Sequence, residues 1–336
     1  MSWVFLAGER VYKLKKPVRF AYLDFSTLAR REAACRAEVK LNRRLAPDVY
    51  LEAVPLVWSP RGFSIGGAGE AADWLVVMRR LGEDGTLEQK LLDGRARSED
   101  LERLFCTLSR FYRHAGRVHI APAQHIADWR RNLRENNRVL SGASLPIPPG
   151  LARRIQSVQR RFIEERSGLL AARARENCIV DGHGDLRPEH IWLDHMIRII
   201  DCLEFNAKLR AIDPLDEIAF LTVESDRLGA HWAGSYLQRR ILAKWGDHNG
   251  RELFCFYRCY RASLRARLAI AHLAEPNPRT PEKWLPLAKH YLQIAVKDAL
   301  LLEQMLNRRG IPQSRRRNAN AGLIRREAPR TAAHRA

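Results

Sequence analysis

No run within the 336 residues approaches the roughly 20 consecutive apolar positions that a membrane-spanning helix needs, so a helical membrane protein is not expected. No GxxxxGK[ST] segment occurs, which leaves out a P-loop phosphate site. None of the six cysteines (Cys35, Cys106, Cys178, Cys202, Cys255, Cys259) pairs with another at CxxC spacing. Such scattered thiols are expected to be free and buried, in a reducing compartment. The opening residues, MSWVFLAGERVYKLKK, put their basic residues after a very short apolar run, the reverse of a secretory leader, so a cytoplasmic location is expected. Acidic residues are the scarce charge: 38 Asp and Glu stand against 58 Lys and Arg, a net charge of +20.

What is present suits a packed chain. A hydrophobic fraction of 46% and a charged fraction of 29% belong to globular rather than disordered sequences, and the length allows two compact units. The basic excess favours anionic partners. Much of it lies in residues 307–336, a segment with little apolar content, expected to be a disordered tail able to meet nucleic acid only nonspecifically. Residues 1–82 read as a small sheet with one helix. Trp3 to Ala7 and Arg10 to Lys15 form a hairpin across Gly8-Glu9, and Thr27 to Leu45 is helical. Tyr50 to Trp58, Gly62 to Ile65 and Trp74 to Met78 return to strand. Residues 83–306 are helical almost throughout, with apolar stripes at 3.6 spacing behind an N-cap at Ser98 and another at Asp213-Pro214. The stripe from Leu253 to Leu268 carries Arg258, Arg261 and Arg265 on its opposite side. That row reads as a solvated face, or as the wall of a cleft for an acidic substrate.

The helical part is interrupted once, by short β runs between Cys178 and Asp201 that enclose His183-Gly184-Asp185-Leu186-Arg187-Pro188-Glu189-His190. A further carboxylate, Asp201, follows the hairpin, and Glu204 comes three residues later. Two carboxylates on loops beside one rigid hairpin suit phosphoryl transfer, one to accept a hydroxyl proton and one to hold magnesium.

These residues resemble the Brenner-type motif of the aminoglycoside phosphotransferase superfamily, which includes choline and homoserine kinases. The likeness extends to RAIDPLDEIAFL (residues 210–221), VYKLKKPVRFAYLDFSTL (11–28) and RAEVKLNRRLAPDVYL (36–51). It is similar to a bacterial branch in which the kinase-like domain is sometimes fused to a P-loop ATPase. The resemblance implies an α+β, protein-kinase-like bilobal fold with a small β-rich N-lobe (1–82) and a mostly helical C-lobe (83–306) holding the catalytic loop 183–204. It implies ATP and Mg²⁺ as cofactors, with a nucleotide and a small hydroxylated acceptor as partners and no membrane. Asp185 would be the catalytic base, with His183 in the same catalytic loop. Lys13 would meet the α- and β-phosphates and Glu38 would be its helical ion-pair partner. Trp74 to Leu81, Met78 among them, would form the last strand and the connection against which adenine sits. Asp201 and His190 would be the metal ligands, His190 standing where the family usually has Asn. Only twelve residues precede Lys13, which implies an abbreviated nucleotide lid or a true start upstream.

Plainer readings stand beside these. Asp185 can cap its own loop. Lys15 and Lys16 rival Lys13, and Glu38 can be a surface helix residue. Arg187, Arg210 and Glu204 can be salt-bridge partners rather than reactants. His183-x-Asp185 with a remote histidine also spells the facial triad of non-haem iron oxygenases, but those sit in β-barrels and the chain after Asp201 is helical. A kinase-like protein that binds a nucleotide or partner without catalysis is the alternative function. The strong basicity argues against a polycationic aminoglycoside as substrate.

Overall fold

The computed structural model describes residues 1–20, 22–142, 149–246, 249–273 and 280–309. The small lobe begins with a hairpin, β1 (Ser2–Ala7) and β2 (Arg10–Lys15), turned at Gly8 with φ +58°. A two-residue pair, β3 (Arg19–Phe20) and β4 (Leu23–Asp24), leads to α1 (Leu28–Asn42). Thr27 caps α1 by accepting the Arg30 N–H at 3.3 Å. Then come β5 (Tyr50–Ser59), β6 (Gly62–Ile65) and β7 (Glu70–Arg79). The sheet runs in the order β1-β2-β7-β5-β6, with every neighbouring pair antiparallel. Helix α1 crosses it, burying Arg31, Ala34, Cys35, Glu38, Val39 and Asn42, one stripe at helical spacing. Two charged residues on that stripe already signal a site rather than a plain core.

The large lobe starts with α2 (Leu87–Leu92), α3 (Ser98–His114), α4 (Pro122–Leu140) and α5 (Pro149–Arg175). The short strands β8 (Val180–Asp181), β9 (Ile191–Leu193) and β10 (Ile197–Ile199) follow, then α6 (Ala207–Arg210) and β11 (Ala211–Ile212). Helices α7 (Pro214–Arg227), α8 (His231–Trp245), α9 (Gly250–Leu273) and α10 (Pro281–Arg309) complete it. The α+β, bilobal layout expected from the sequence is the one adopted. Helix α10 runs through Arg309, past the expected boundary at 306; the remainder of the expected tail lies outside the described residues.

Two local expectations change. Ser98 is the first helical residue of α3, not its cap; Asp100 instead accepts the Arg97 backbone N–H at 3.2 Å. Of the six thiols, Cys35, Cys202, Cys255 and Cys259 are buried, whereas Cys178 is half-buried and Cys106 exposed, because they fall on outward sides of their segments.

The larger correction concerns α9. Helix α7 is buried at every position from Pro214 to Ser225, Asp216, Glu217 and Glu224 included, so its carboxylates need partners inside the lobe. The arginine row supplies them. Arg261 grips Asp216 with two bonds of 2.7 and 2.6 Å, and Arg265 lies 2.9 Å from Glu224. Arg258 bridges Asp226 (2.6 Å) and Asp298 (3.1 Å). The row is therefore not a solvated face, although Arg258 at its start also lines a second cavity with Arg251 and Lys297. It is the polar seam between α7, α9 and α10, and the stripe of apolar residues on the other side of α9 packs against α4 and α5.

This seam generates a stability prediction. Arg261→Met leaves Asp216 charged, buried and alone, a change that typically costs about 3–5 kcal/mol. Urea denaturation should show a loss of that size, and Arg261→Met combined with Asp216→Leu should recover most of it. A single variant within about 0.5 kcal/mol of the parent, the usual scale of an exposed substitution, would mean the pair does not hold the seam.

Candidate active site

Alternation along β2 puts Val11, Lys13 and Lys15 on the face that looks toward α1 and the cleft. Glu38 on α1 meets both lysines: Oε1 is 2.8 Å from Lys13 Nζ, and Oε2 is 2.6 Å from Lys15 Nζ. Each lysine then reaches across to the large lobe. Lys13 Nζ lies 2.8 Å from Asp201 Oδ1, and Lys15 pairs with Glu204. Burial works against the Lys13 charge, but Glu38 and Asp201 outweigh it and raise its pKa well above that of an ordinary lysine. Burial likewise opposes ionisation of Glu38, and the two lysines overcome it and hold the carboxyl below its usual range. Glu38 is thus no surface residue. Lys13 is the lysine that meets Asp201, Lys15 forms a second bridge beside it, and Lys16 lies outside, over the Trp3 ring.

Asp201 is set by backbone geometry. Its φ is +64°, a left-handed conformation unusual for a residue with a side chain. The surroundings impose it: Tyr50 OH accepts the Asp201 N–H (3.1 Å), and Asn42 Oδ1 accepts the Cys202 N–H (2.9 Å). Burial opposes the Asp201 charge, yet Lys13 and then His190 hold its carboxyl below the ordinary aspartate range, so it is ionised at neutral pH.

The Asp185 loop is cradled from below. β8 pairs with β11, which brings the first turn of α7 under residues 182–184. There Glu217, fully buried, accepts the N–H of His183 at 3.0 Å and of Gly184 at 2.6 Å. Gly184 sits at φ +87°, and a Cβ there would stand 3.0 Å from Leu203 and 3.1 Å from the Leu209 carbonyl, so the turn requires glycine. His183 also lies behind the loop. Its Nε2–H donates to the Ile200 carbonyl (2.9 Å) and its Nδ1 accepts the Asp185 N–H (3.3 Å), while burial pulls its pKa below the ordinary value. Fully buried, it braces the loop rather than facing the cleft, which favours the structural reading of this residue over a catalytic one. It positions Asp185 against the strand that carries Asp201.

His190 is also placed differently from expectation. Its Nδ1 bonds the Asp185 carbonyl at 3.0 Å and its Nε2 lies 3.0 Å from Arg187 Nη2. The same guanidinium reaches Asp185 Oδ2 at 3.1 Å and Glu189 Oε1 at 2.7 Å. Among the described residues, no three His, Cys, Asp or Glu side chains converge as a metal cluster. Arg210, for its part, braces Asp181 (2.7 Å) and the Leu203 carbonyl and stays out of the cleft.

Between the lobes lies a cavity of about 640 Å³, within the range of small-molecule sites. Val11, Val49, Met78, Leu81 and Ile200 give it an apolar end beside the 79–82 connection, and Lys13, Asp185, Asp201 and Glu204 give it a polar one. Val4 and Leu6 of the edge strand β1 line it as well. Arg44 and Arg198 tie the lobes together at its back: Arg44 donates to the carbonyls of Asp181 (2.8 Å) and Gly182 (2.9 Å), and Arg198 pairs with Asp48 at 2.8 Å. Sequence reasoning missed Glu217, Tyr50, Asn42, the arrangement of Arg187 and the second bridge made by Lys15, which it held only as a rival of Lys13. Glu217 sat inside a segment already singled out, RAIDPLDEIAFL. Its signal was a glutamate on the third turn-forming position after Asp213-Pro214, in a helix too apolar to have a wet side.

No family model matches the chain. Solved structures similar to it include a choline/ethanolamine kinase family protein from Mesorhizobium loti, 16% identical, covering 90% of each chain, with a TM-score of 0.49. A thermostable mutant of an aminoglycoside phosphotransferase is 9% identical, covers 88% of this chain and 90% of its own, and has a TM-score of 0.49. In sequence, the chain is 33% identical over 305 residues to proteins of Mycobacterium bovis and Mycobacterium tuberculosis that are titled uncharacterized. The match takes in 87% of this chain and 58% of the length of those relatives.

Proposed function

We propose that this chain is an ATP-dependent phosphotransferase that moves the γ-phosphate to a hydroxyl acceptor, with Asp185 as base and Asp201 as the magnesium ligand. The observation that carries the reading is one chain of contacts, Glu38–Lys13–Asp201, drawn from a helix, a strand and a loop far apart in sequence, meeting beside a cleft that also holds Asp185. An ion-paired lysine next to an ionised aspartate is what nucleotide phosphates with a divalent cation call for.

The donor set at Asp201 fits magnesium. Its carboxylate is a hard oxygen donor, ionised, and 42% exposed toward the cleft. Around it three carboxylates, Glu38, Asp201 and Glu204, face two ammonium groups, an excess of negative charge suited to a cation. Magnesium, when bound, supplies charge neutralisation at the phosphates. Lys13 would share its ammonium between Glu38 and the α- and β-phosphates. The apolar end at Val11, Met78 and Leu81 would take the adenine. Asp185, held by His183 and the Glu217 cradle, would orient and accept the acceptor's hydroxyl proton.

Nucleotide with Mg²⁺ should therefore raise the melting temperature, since a ligand of the folded state alone stabilises it by about 2.7 kcal/mol at a hundredfold excess over Kd. Lys13→Met should abolish the shift, Lys16→Ala should keep it, and EDTA should remove it. No shift in the parent chain at millimolar ATP and Mg²⁺ would end this reading.

The two aspartates should separate in function. Asp185→Asn should stop transfer of radiolabelled phosphate by about 10²-fold or more while sparing Mg²⁺-dependent nucleotide binding. Asp201→Asn should weaken binding as well as turnover. If the parent binds nucleotide but transfers nothing to pools of sugars, amino alcohols or cell metabolites, the alternative of a nucleotide-binding protein without catalysis replaces the enzyme.

A further inference from the structure

Kinase sites of this kind hold two magnesium ions, one on the aspartate after the hairpin and one on a ligand in the catalytic loop. The second position in this chain is His190, and its donors do not fit. The Nδ1–H is spent on the Asp185 carbonyl at 3.0 Å, which fixes the tautomer and leaves one lone pair, on Nε2. That lone pair accepts from Arg187 Nη2 at 3.0 Å. The Asp185 carboxylate oxygen on the same side, Oδ2, accepts from Arg187 Nε at 3.1 Å. Asp201 Oδ2, the other oxygen a second cation could share, lies 3.6 Å from the same Nε2.

We propose that the Arg187 guanidinium takes the place of the second metal ion, so that this site works with a single divalent cation, at Asp201. The inference rests on the phosphotransferase reading above and refines it. Arg187 qualifies on three counts. Its charge is permanent, unlike that of lysine or histidine. Its planar fork lets one side chain reach the base (Asp185), the histidine (His190) and a third group, Glu189 Oε1 at 2.7 Å, that holds it in position. And its side chain is largely buried, so its head is not free to swing into solvent and leave a vacancy for a cation. The histidine then has an explanation as well. Asn at that position offers an amide oxygen to a hard cation, whereas imidazole offers a nitrogen that readily accepts from a guanidinium and poorly suits magnesium. The Arg187–His190 pair is thereby a matched replacement for a metal and its ligand.

The test counts metal ions. With a non-hydrolysable ATP analogue at saturation, Mn²⁺ titration followed by electron paramagnetic resonance should give one tightly bound Mn²⁺ per chain for the parent protein. Arg187→Ala, which frees Nε2 and the Asp185 oxygen, should take two. Arg187→Gln, closer in size, guards against a folding defect and should also take two. With Co²⁺ in place of Mn²⁺, the arginine variants should show visible absorption from a histidine-ligated ion that the parent lacks. Two ions in the parent, or one ion in both folded variants, would overturn the proposal while leaving the phosphotransferase reading in place. Failure of the parent to bind nucleotide with any metal removes both together.

Discussion

Everything at the centre of this molecule depends on how one buried carboxylate, Glu38, is neutralised. It sits mid-helix with no access to water, where an unpaired charge would cost several kcal/mol. The solution is one lysine on each oxygen. Because Lys13 and Lys15 are two residues apart on a strand, their side chains emerge on the same face, and a single carboxylate can accept both. Two positive charges on one negative would leave a surplus, and that surplus is what reaches across to Asp201 and Glu204. The lobes are thus joined through the charge balance of the site itself. Arg44 and Arg198 bond the same junction from behind, so the lobes are tied together at the polar side of the cleft.

A similar logic governs the large lobe. Helix α7 carries the glutamate that shapes the Asp185 loop, and a helix that offers a buried side chain to a loop on one side must be enclosed on the others. Its remaining carboxylates then have to be answered within the lobe, which is the task of Arg258, Arg261 and Arg265. Nearby, Asp213 caps the helix by accepting the Leu215 N–H while Arg173 grips it with bonds of 2.6 and 2.8 Å. Several of the chain's arginines are therefore internal, but each is matched by an internal carboxylate, so the net charge of +20 is carried by the remaining residues.

That division explains what could be read from the sequence. The strands β1, β2, β5, β6 and β7 and the longer helices carry their own periodicity, so the α+β, two-lobe layout was legible. So was the pairing of Asp185 with Asp201 around one hairpin, because both flank the same short β runs. The Glu38–Lys13 pair came from resemblance alone: nothing local distinguishes Glu38 from Glu32 on the same helix, since only the sheet beneath decides which is buried. Lys15 stood only as a rival of Lys13, and its own bridge to Glu204 was not legible for the same reason. The arginine row was misread because periodicity identifies the faces of a helix but not which face meets another helix. Helix α8 went unnoticed, its apolar residues Ala233, Leu237 and Ile241 being too sparse to stand out.

The Arg187–His190 pair bears on how departures from a motif are weighed. Taken one position at a time, histidine where a metal ligand is usual looks like decay of a site. Taken with its neighbour, it is half of a hydrogen-bonded unit whose other half carries the missing charge. Decay would leave orphaned groups, since a lost ligand abandons the oxygens that shared its ion. Here Asp185 Oδ2 and the His190 lone pair, the groups that would face a second ion, are both paired with one guanidinium that Glu189 Oε1 holds, at 2.7 to 3.1 Å, while Glu189 Oε2 is buried without a partner. On the proposal above, the substitution changes which cation the site uses rather than removing the site.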